Sequence, residues 1–182
     1  MTATSRSRSS IVLMTILGIL ALSLAGAAAA VDKIGGPGDD TLGGSLGPDR
    51  IYGQGGNDTL SGRAGRDYLS GGEGNDVMNG GQDDDIMRGR AGDDTLNGGQ
   101  GPDQLYGGQG ADTMNGGIGP DRLYALAKDG VVDTLNCGPG VDVARIVKGD
   151  TVTDTTVNCE KVIEVETTRR EEPGDPYWDP NE

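Results

Sequence analysis

Between Gly35 and Tyr124 an aliphatic residue recurs at every ninth position, from Leu42 and Ile51 to Met114 and Leu123, and its neighbours on either side are mostly polar. Thr59-Leu60-Ser61 and Gln104-Leu105-Tyr106 are typical. Such a polar, apolar, polar triplet predicts a short strand with its middle side chain buried. The six residues before each triplet are rich in Gly, Asp, Asn and Pro and predict a turn. The segment divides into ten nine-residue units, in which position one is Gly in all ten, position four is Gly in nine and position six is Asp in all ten. A fixed short period marks a stacked repeat architecture. Glycine at positions one and four is expected to supply backbone angles that other residues avoid.

Odd and even units differ, and the difference sets the length of one coil. Thr41, Thr59, Thr95 and Thr113 at position seven, and Asn79, Asn97 and Asn115 at position nine, all fall in odd units. Pro48, Pro102 and Pro120 at position five, and Tyr52, Tyr106 and Tyr124 at position nine, all fall in even ones. The period is therefore eighteen residues, two turns and two strands per coil. This predicts two parallel sheets facing each other across a thin core, odd units on one side and even units on the other.

Stacking at that period puts every position-six aspartate over the next. One column is Asp40, Asp58, Asp76, Asp94 and Asp112; the other is Asp49, Asp67, Asp85, Asp103 and Asp121. Like charges so close repel strongly unless a cation lies between them. An all-oxygen shell of carboxylates and turn carbonyls suits Ca²⁺ better than Mg²⁺, which demands a stricter octahedron. The chain has no His and only two Cys, so zinc and copper lack ligands. One aliphatic per nine residues buries too little apolar surface to offset chain entropy. The expectation is a chain unfolded without Ca²⁺ that folds cooperatively with it.

The units match the pattern G-G-x-G-x-D-x-U-x and so resemble the repeats-in-toxin (RTX) nonapeptide family, whose haemolysin-type repeat binds Ca²⁺. The resemblance covers about half the chain. It implies an all-β fold, a right-handed parallel β-roll, with ions held between turns eighteen residues apart. It also implies the ligands. Asp40 and Asp58 would share an ion with the carbonyls of Gly36, Gly38, Gly53 and Gly55, and Asp103 and Asp121 with those of Gly99, Gly101, Gly116 and Ile118. Ten turns leave four gaps in each column, hence at most eight sites. Arg63 and Arg66 beside Asp67, and Asp83 in place of the position-four Gly, predict that the even-column sites around Asp67 and Asp85 are the weakest.

The remaining segments serve this array. Residues 1–30 place Arg6 and Arg8 before an apolar run and end in small residues, the order of a secretory signal peptide cut after Ala30. An uncleaved anchor is the competing reading. The mature chain is expected to be extracellular and not membrane-spanning. From Val31 onward 13 basic residues face 29 acidic ones, a net of −16, which argues against nucleic acid and for cations as partners.

After Tyr124 the register slips by three residues, and two degenerate units follow, Lys128 to Asn136 and Cys137 to Arg145. They carry Asp133 and Asp142 at position six, where loss of glycine favours a structural role over metal binding. Residues 146–165 predict a hairpin-like end, so that 125–165 caps the solenoid. Cys137 and Cys159 are the only cysteines, and an oxidising compartment predicts a disulfide between them. Its ending, Cys-Gly-Pro-Gly-Val-Asp followed by Asn158-Cys159-Glu160, is similar to caps of stand-alone secreted actinobacterial-type repeat proteins. Residues 166–182 predict a flexible acidic tail.

No constellation for catalysis appears, since the chain lacks a His base and its carboxylates stand in regular columns. The first expectation is a non-enzymatic, secreted Ca²⁺-binding module with a structural or adhesive role. A second is an accessory module to a separate secreted enzyme or toxin. A third uses the outer faces: the Thr and Asn rows suit a regular surface such as ice, and Arg50, Tyr52, Tyr106, Arg122 and Tyr124 suit a glycan or protein of a cell surface. Strand propensity also accounts for both rows.

Overall fold

The computed structural model describes residues 29–147 and 154–166. The proposed signal peptide up to residue 28 and the tail from residue 167 lie outside these. The described residues form fifteen strands and no helix. They are β1 (Asp32–Ile34), β2 (Thr41–Gly43), β3 (Arg50–Gly55), β4 (Thr59–Ala64), β5 (Tyr68–Glu73), β6 (Val77–Gln82), β7 (Ile86–Ala91) and β8 (Thr95–Gln100). Then follow β9 (Gln104–Gln109), β10 (Thr113–Ile118), β11 (Arg122–Ala125), β12 (Thr134–Asn136), β13 (Val143–Val147), β14 (Thr155–Val157) and β15 (Lys161–Val165).

Odd-numbered strands make one eight-stranded sheet in the order β1-β3-β5-β7-β9-β11-β13-β15, and even-numbered strands make a seven-stranded sheet from β14 to β2. Every pairing is parallel, with partners such as Leu60↔Met78 and Leu69↔Met87 eighteen residues apart. The fold is a parallel β-solenoid of about seven coils, as the odd-even alternation predicted. Position eight forms the core. Ile51, Leu69, Met87, Leu105 and Leu123 from one sheet meet Leu60, Met78, Leu96 and Met114 from the other in a single file, each at most 1% exposed. Leu42, in the first coil, is only partly buried.

Two local expectations are corrected. Most strands in the array run for six residues rather than three, because positions two and three stay paired with the neighbouring coils despite the left-handed residue at position two, and only positions four to six leave the ladder. Glycine at position one is also needed for a different reason. Positive φ falls at position two, including the non-glycine residues Gln54 (83°), Arg63 (85°) and Arg90 (86°), and at position four, as in Gly56 (101°) and Gly92 (125°). Position one keeps an ordinary backbone and lacks space instead. A Cβ on Gly71 would overlap Asp76 Oδ2 of its own turn and lie 2.9 Å from the Gly89 carbonyl oxygen of the next coil.

The solenoid outlasts its regular sequence. β12 and β13 join the two sheets with partners 21 residues away, Thr113↔Thr134 and Arg122↔Val143, so the three-residue slip is absorbed in the connection. The hairpin-like end is not what forms: β14 and β15 each pair in parallel with β12 and β13 and continue the winding. Parallel addition lets them cover the open edges of both sheets at once, which an antiparallel hairpin on one edge does not. The Cys137–Cys159 disulfide, with Cα atoms 5.1 Å apart, ties this last coil to the one before it. Closing that loop contributes roughly 3 kcal/mol on the chain-entropy model.

The crowding at position one makes a direct prediction. Gly71→Ala should cost at least the ~1–3 kcal/mol typical of overpacking, whereas Gln54→Gly, which relieves a left-handed side-chain residue, should stay within about 1 kcal/mol of the parent. Thermal melts of the metal-loaded proteins measure both; equal melting points for Gly71→Ala and the parent would contradict the packing argument.

Candidate metal columns

Each turn ends in its position-six aspartate, and the β-strand hydrogen bonds on either side set the height of one turn above the next. Within that spacing the aspartates form a continuous ladder. The amide of Asp58 donates to Asp76 Oδ1 at 2.7 Å, that of Asp76 to Asp94 at 2.8 Å and that of Asp94 to Asp112 at 2.9 Å. In the other column Asp49 donates to Asp67 (2.7 Å), Asp67 to Asp85 (2.8 Å), Asp85 to Asp103 (2.9 Å) and Asp103 to Asp121 (2.9 Å). Asp40 stands at the start of the first column, donating to Asp58 at 2.7 Å. All ten aspartates named from the sequence therefore lie in two files, and all but the partly buried Asp40 are at most 3% exposed.

One carboxylate oxygen is thus engaged; in the first turn of each column the other accepts an amide, Gly36 donating to Asp40 Oδ2 at 2.6 Å and Ser45 to Asp49 Oδ2 at 2.5 Å, and in the later turns it does not. Oδ2 of Asp58, Asp67, Asp76, Asp85, Asp94, Asp103, Asp112 and Asp121 is buried without a hydrogen-bond partner. Burying a carboxylate oxygen unpaired is costly, so a cation or a proton must compensate it. The same oxygen faces a carbonyl of the neighbouring coil: at Gly98, Asp103 Oδ2 and the Gly116 carbonyl oxygen converge on the space a Cβ would fill, and at Gly35, Asp40 Oδ2 and the Gly53 carbonyl do the same. No group of three or more carboxylate, His or Cys ligands converges among the described residues. A cation here takes few carboxylate oxygens and must complete its shell from the main chain, a donor set that fits Ca²⁺.

Of the carbonyls assigned by resemblance, those of Gly53 and Gly116 lie beside the Asp oxygens as described. Gly36 and Ile118 instead accept amides of the adjacent coil, from Gly55 at 3.2 Å and Gly101 at 2.9 Å. The Gly99 and Gly101 carbonyls pack against the α-carbons of Gly117 and Gly119. Gly38 sits in the open first turn and Gly55 in the turn one coil on, where a Cβ would meet nothing closer than 3.8 Å. A carbonyl oxygen keeps a second lone pair when it accepts one amide, so these bonds do not remove it from a ligand set.

The irregular units leave the ladder intact. Arg66 turns outward to pair with Asp84 at 3.0 Å on the exposed surface, and Asp67 and Asp85 keep the same amide partners and the same unpartnered Oδ2 as the rest. Asp83 takes the left-handed backbone of the glycine it replaces (φ 74°) and accepts the Gly65 amide at 3.2 Å.

Position five explains the odd-even alternation of proline. In odd turns a second, outer ladder runs from the Asn57 amide to Asp39 Oδ1 (2.7 Å), from Asn75 to Asn57 Oδ1 (2.8 Å) and from Asp93 to Asn75 Oδ1 (2.9 Å). It needs an N–H and a side-chain acceptor at the same position. Even turns make no such ladder among the described residues and so tolerate Pro48, Pro102 and Pro120. The sequence reading missed this ladder, although the run of Asp and Asn at odd position five was its visible sign.

Burial sets the electrostatics. Desolvation, partly offset by the donated amide and reinforced by the neighbouring carboxylates, raises Asp67, Asp76 and Asp121 to about 6. The same causes raise Asp94 and Asp103 to about 7 and Asp85 and Asp112 to about 8. Each folded value lies above the ordinary unfolded value near ~3.9. The stabilising effect of protonation is then complete below that unfolded value and is lost as pH rises through about 6 to 8. In metal-depleted buffer, β-structure followed by circular dichroism should increase as pH falls from 8 toward 5 and disappear on return to 8; a pH-independent spectrum would contradict the assignment of unpaired buried carboxylates.

The RTX calcium-binding nonapeptide repeat model matches in four overlapping copies, over residues 34–69, 53–87, 61–96 and 88–123. No curated protein matches the chain. The family match spans the same turns that carry the two buried aspartate files, and residues 34–123 of this chain accordingly belong to the RTX calcium-binding nonapeptide repeat family.

Proposed function

We propose that the protein is a secreted calcium-binding β-roll whose coils form when Ca²⁺ enters the two turn columns, and that it acts outside the cell as a structural or adhesive module rather than an enzyme. The observation that carries this reading is the file of buried, unpartnered Oδ2 atoms. At neutral pH, ionising the files without a counter-ion leaves mutual repulsion inside a low-dielectric turn. A divalent cation between successive aspartates reverses the sign of that interaction, and binding free energy becomes folding free energy. Ca²⁺ is plentiful outside cells, and the amino-terminal segment has the pattern of an export signal, so folding is coupled to leaving the cell.

A second reading concerns the outer face of the eight-stranded sheet. Tyr106 and Tyr124 stack with centroids 4.5 Å apart, Arg88 lies 5.3 Å from the Tyr106 ring, and Arg145 lies 5.5 Å from that of Tyr124. Tyr124, expected on the outer face, is buried, and Arg88, Tyr106 and Arg145 are partly exposed. The exposed part of this aromatic and guanidinium strip supports a glycan or protein partner on a cell surface.

The coupling is tested by titrating Ca²⁺ into chelator-treated protein at pH 7.5. A random-coil spectrum should convert cooperatively to a β spectrum, and calorimetry should count at least one ion for each gap between array turns, eight or more for ten turns. Full β structure in excess chelator at this pH would overturn the reading.

A further inference from the structure

We propose that the even column holds one more calcium site beyond the nonapeptide array, between the last regular turn, residues 116–121, and the degenerate turn 137–142, with Asp121 and Asp142 as its carboxylates. The proposal rests on the calcium reading of the array. It extends the column to a turn that the family match, ending at residue 123, does not reach.

The two turns are 21 residues apart, yet they stack as array turns do. The Asp121 amide donates to Asp142 Oδ1 at 2.7 Å, and the Val143 amide donates to the Asp121 carbonyl at 2.9 Å. Gly119 donates to the Pro139 carbonyl at 3.2 Å, as Gly101 donates to that of Ile118 at 2.9 Å. Gly138, with φ of 91°, packs on the Gly117 carbonyl just as Gly117 packs on that of Gly99. Beside Gly116, Asp121 Oδ2 and the Cys137 carbonyl oxygen converge on one space, each 2.6 Å from where a Cβ would stand. Asp142 itself is fully buried, and no N–H donates to its Oδ2; burial and, after it, the neighbouring exposed Glu160 carboxylate raise the Asp142 carboxyl. The contacts that mark the array sites on the Asp121 side are therefore repeated here, although Gly140 at position four does not take the left-handed backbone of its array counterparts.

Cys137 replaces the position-one glycine, and the structure shows why that is tolerated. The chain crosses above this turn in three residues, Asn158 to Glu160, between β14 and β15, where an array turn uses six between the equivalent pairing positions. The shortened crossing leaves room for a side chain, which the disulfide to Cys159 occupies. Glu160, next in sequence, accepts the Asp142 amide at 2.7 Å and ends the file. The disulfide thus holds the roof over the added site.

The odd column ends differently. There the turn from Lys128 to Asp133 offers the Asp129 carboxylate, rather than a main-chain carbonyl, to the Gly110 amide at 2.7 Å. Asp133 accepts the Asp112 amide at 2.8 Å but has no unpartnered buried oxygen. The extra site belongs to one column only.

Native mass spectrometry of the full mature chain loaded with Ca²⁺ tests the assignment. Asp142→Asn keeps an acceptor for the Asp121 amide and removes the charge, so it should bind one calcium ion fewer than the parent. An unchanged count would overturn the proposal while leaving the array intact. A parent that binds no calcium would overturn the calcium reading as well. Should the variant fail to fold, long-wavelength anomalous diffraction from crystals of the calcium-loaded parent decides: a peak between Asp121 and Asp142 supports the site, and peaks confined to the array overturn it.

Discussion

Everything in this molecule depends on placing a carboxylate under the amide of the carboxylate before it. That hydrogen bond fixes the height of each turn, but it stacks like charges in a file and, beyond the first turn of each column, leaves one oxygen of each array aspartate buried without a partner. The core cannot compensate for this, since each coil contributes only two aliphatic side chains to it. Stability must come from whatever neutralises the files. The protein is for that reason built around its turns, and the sheets follow from them.

The sequence carried much of this in plain form. A nine-residue spacing of Leu, Ile and Met gave the buried file, and the confinement of Pro and Tyr to even units separated the sheets and doubled the period. The position-six aspartates were legible because nothing else was invariant with a side chain. Other features were hidden because they depend on contacts between coils. The need for glycine at position one is a collision with Asp Oδ2 and a carbonyl eighteen residues on, and glycine alone does not say whether space or backbone angle is limiting. The strand length was underestimated because the Gly-rich positions one to three, which read as turn, are held in the ladder by pairing with the neighbouring coil.

The end of the solenoid was misread for a related reason. Periodicity weakens after Tyr124, so the Val- and Thr-rich segment suggested a hairpin, while the structure continues the parallel winding through β15. Register survives the three-residue slip because the inserted chain leaves at a connection and not within a ladder. Asp133 and Asp142 looked alike in sequence, both at position six of a degenerate unit. Their neighbours separate them: Gly138 takes the left-handed backbone of array position two in the turn of Asp142, and the Asp129 side chain reshapes the turn of Asp133.

The chemical difference between the two sheets constrains how such a chain can change length. Removing or adding one nonapeptide exchanges the roles of the sheets for every later residue. Tyrosines would enter the threonine row, and prolines would fall on turns whose outer ladder needs an N–H. Removing a whole coil of eighteen residues leaves every remaining side chain facing its former neighbours. Length in this protein is therefore counted in coils, although its sequence is written in nonapeptides.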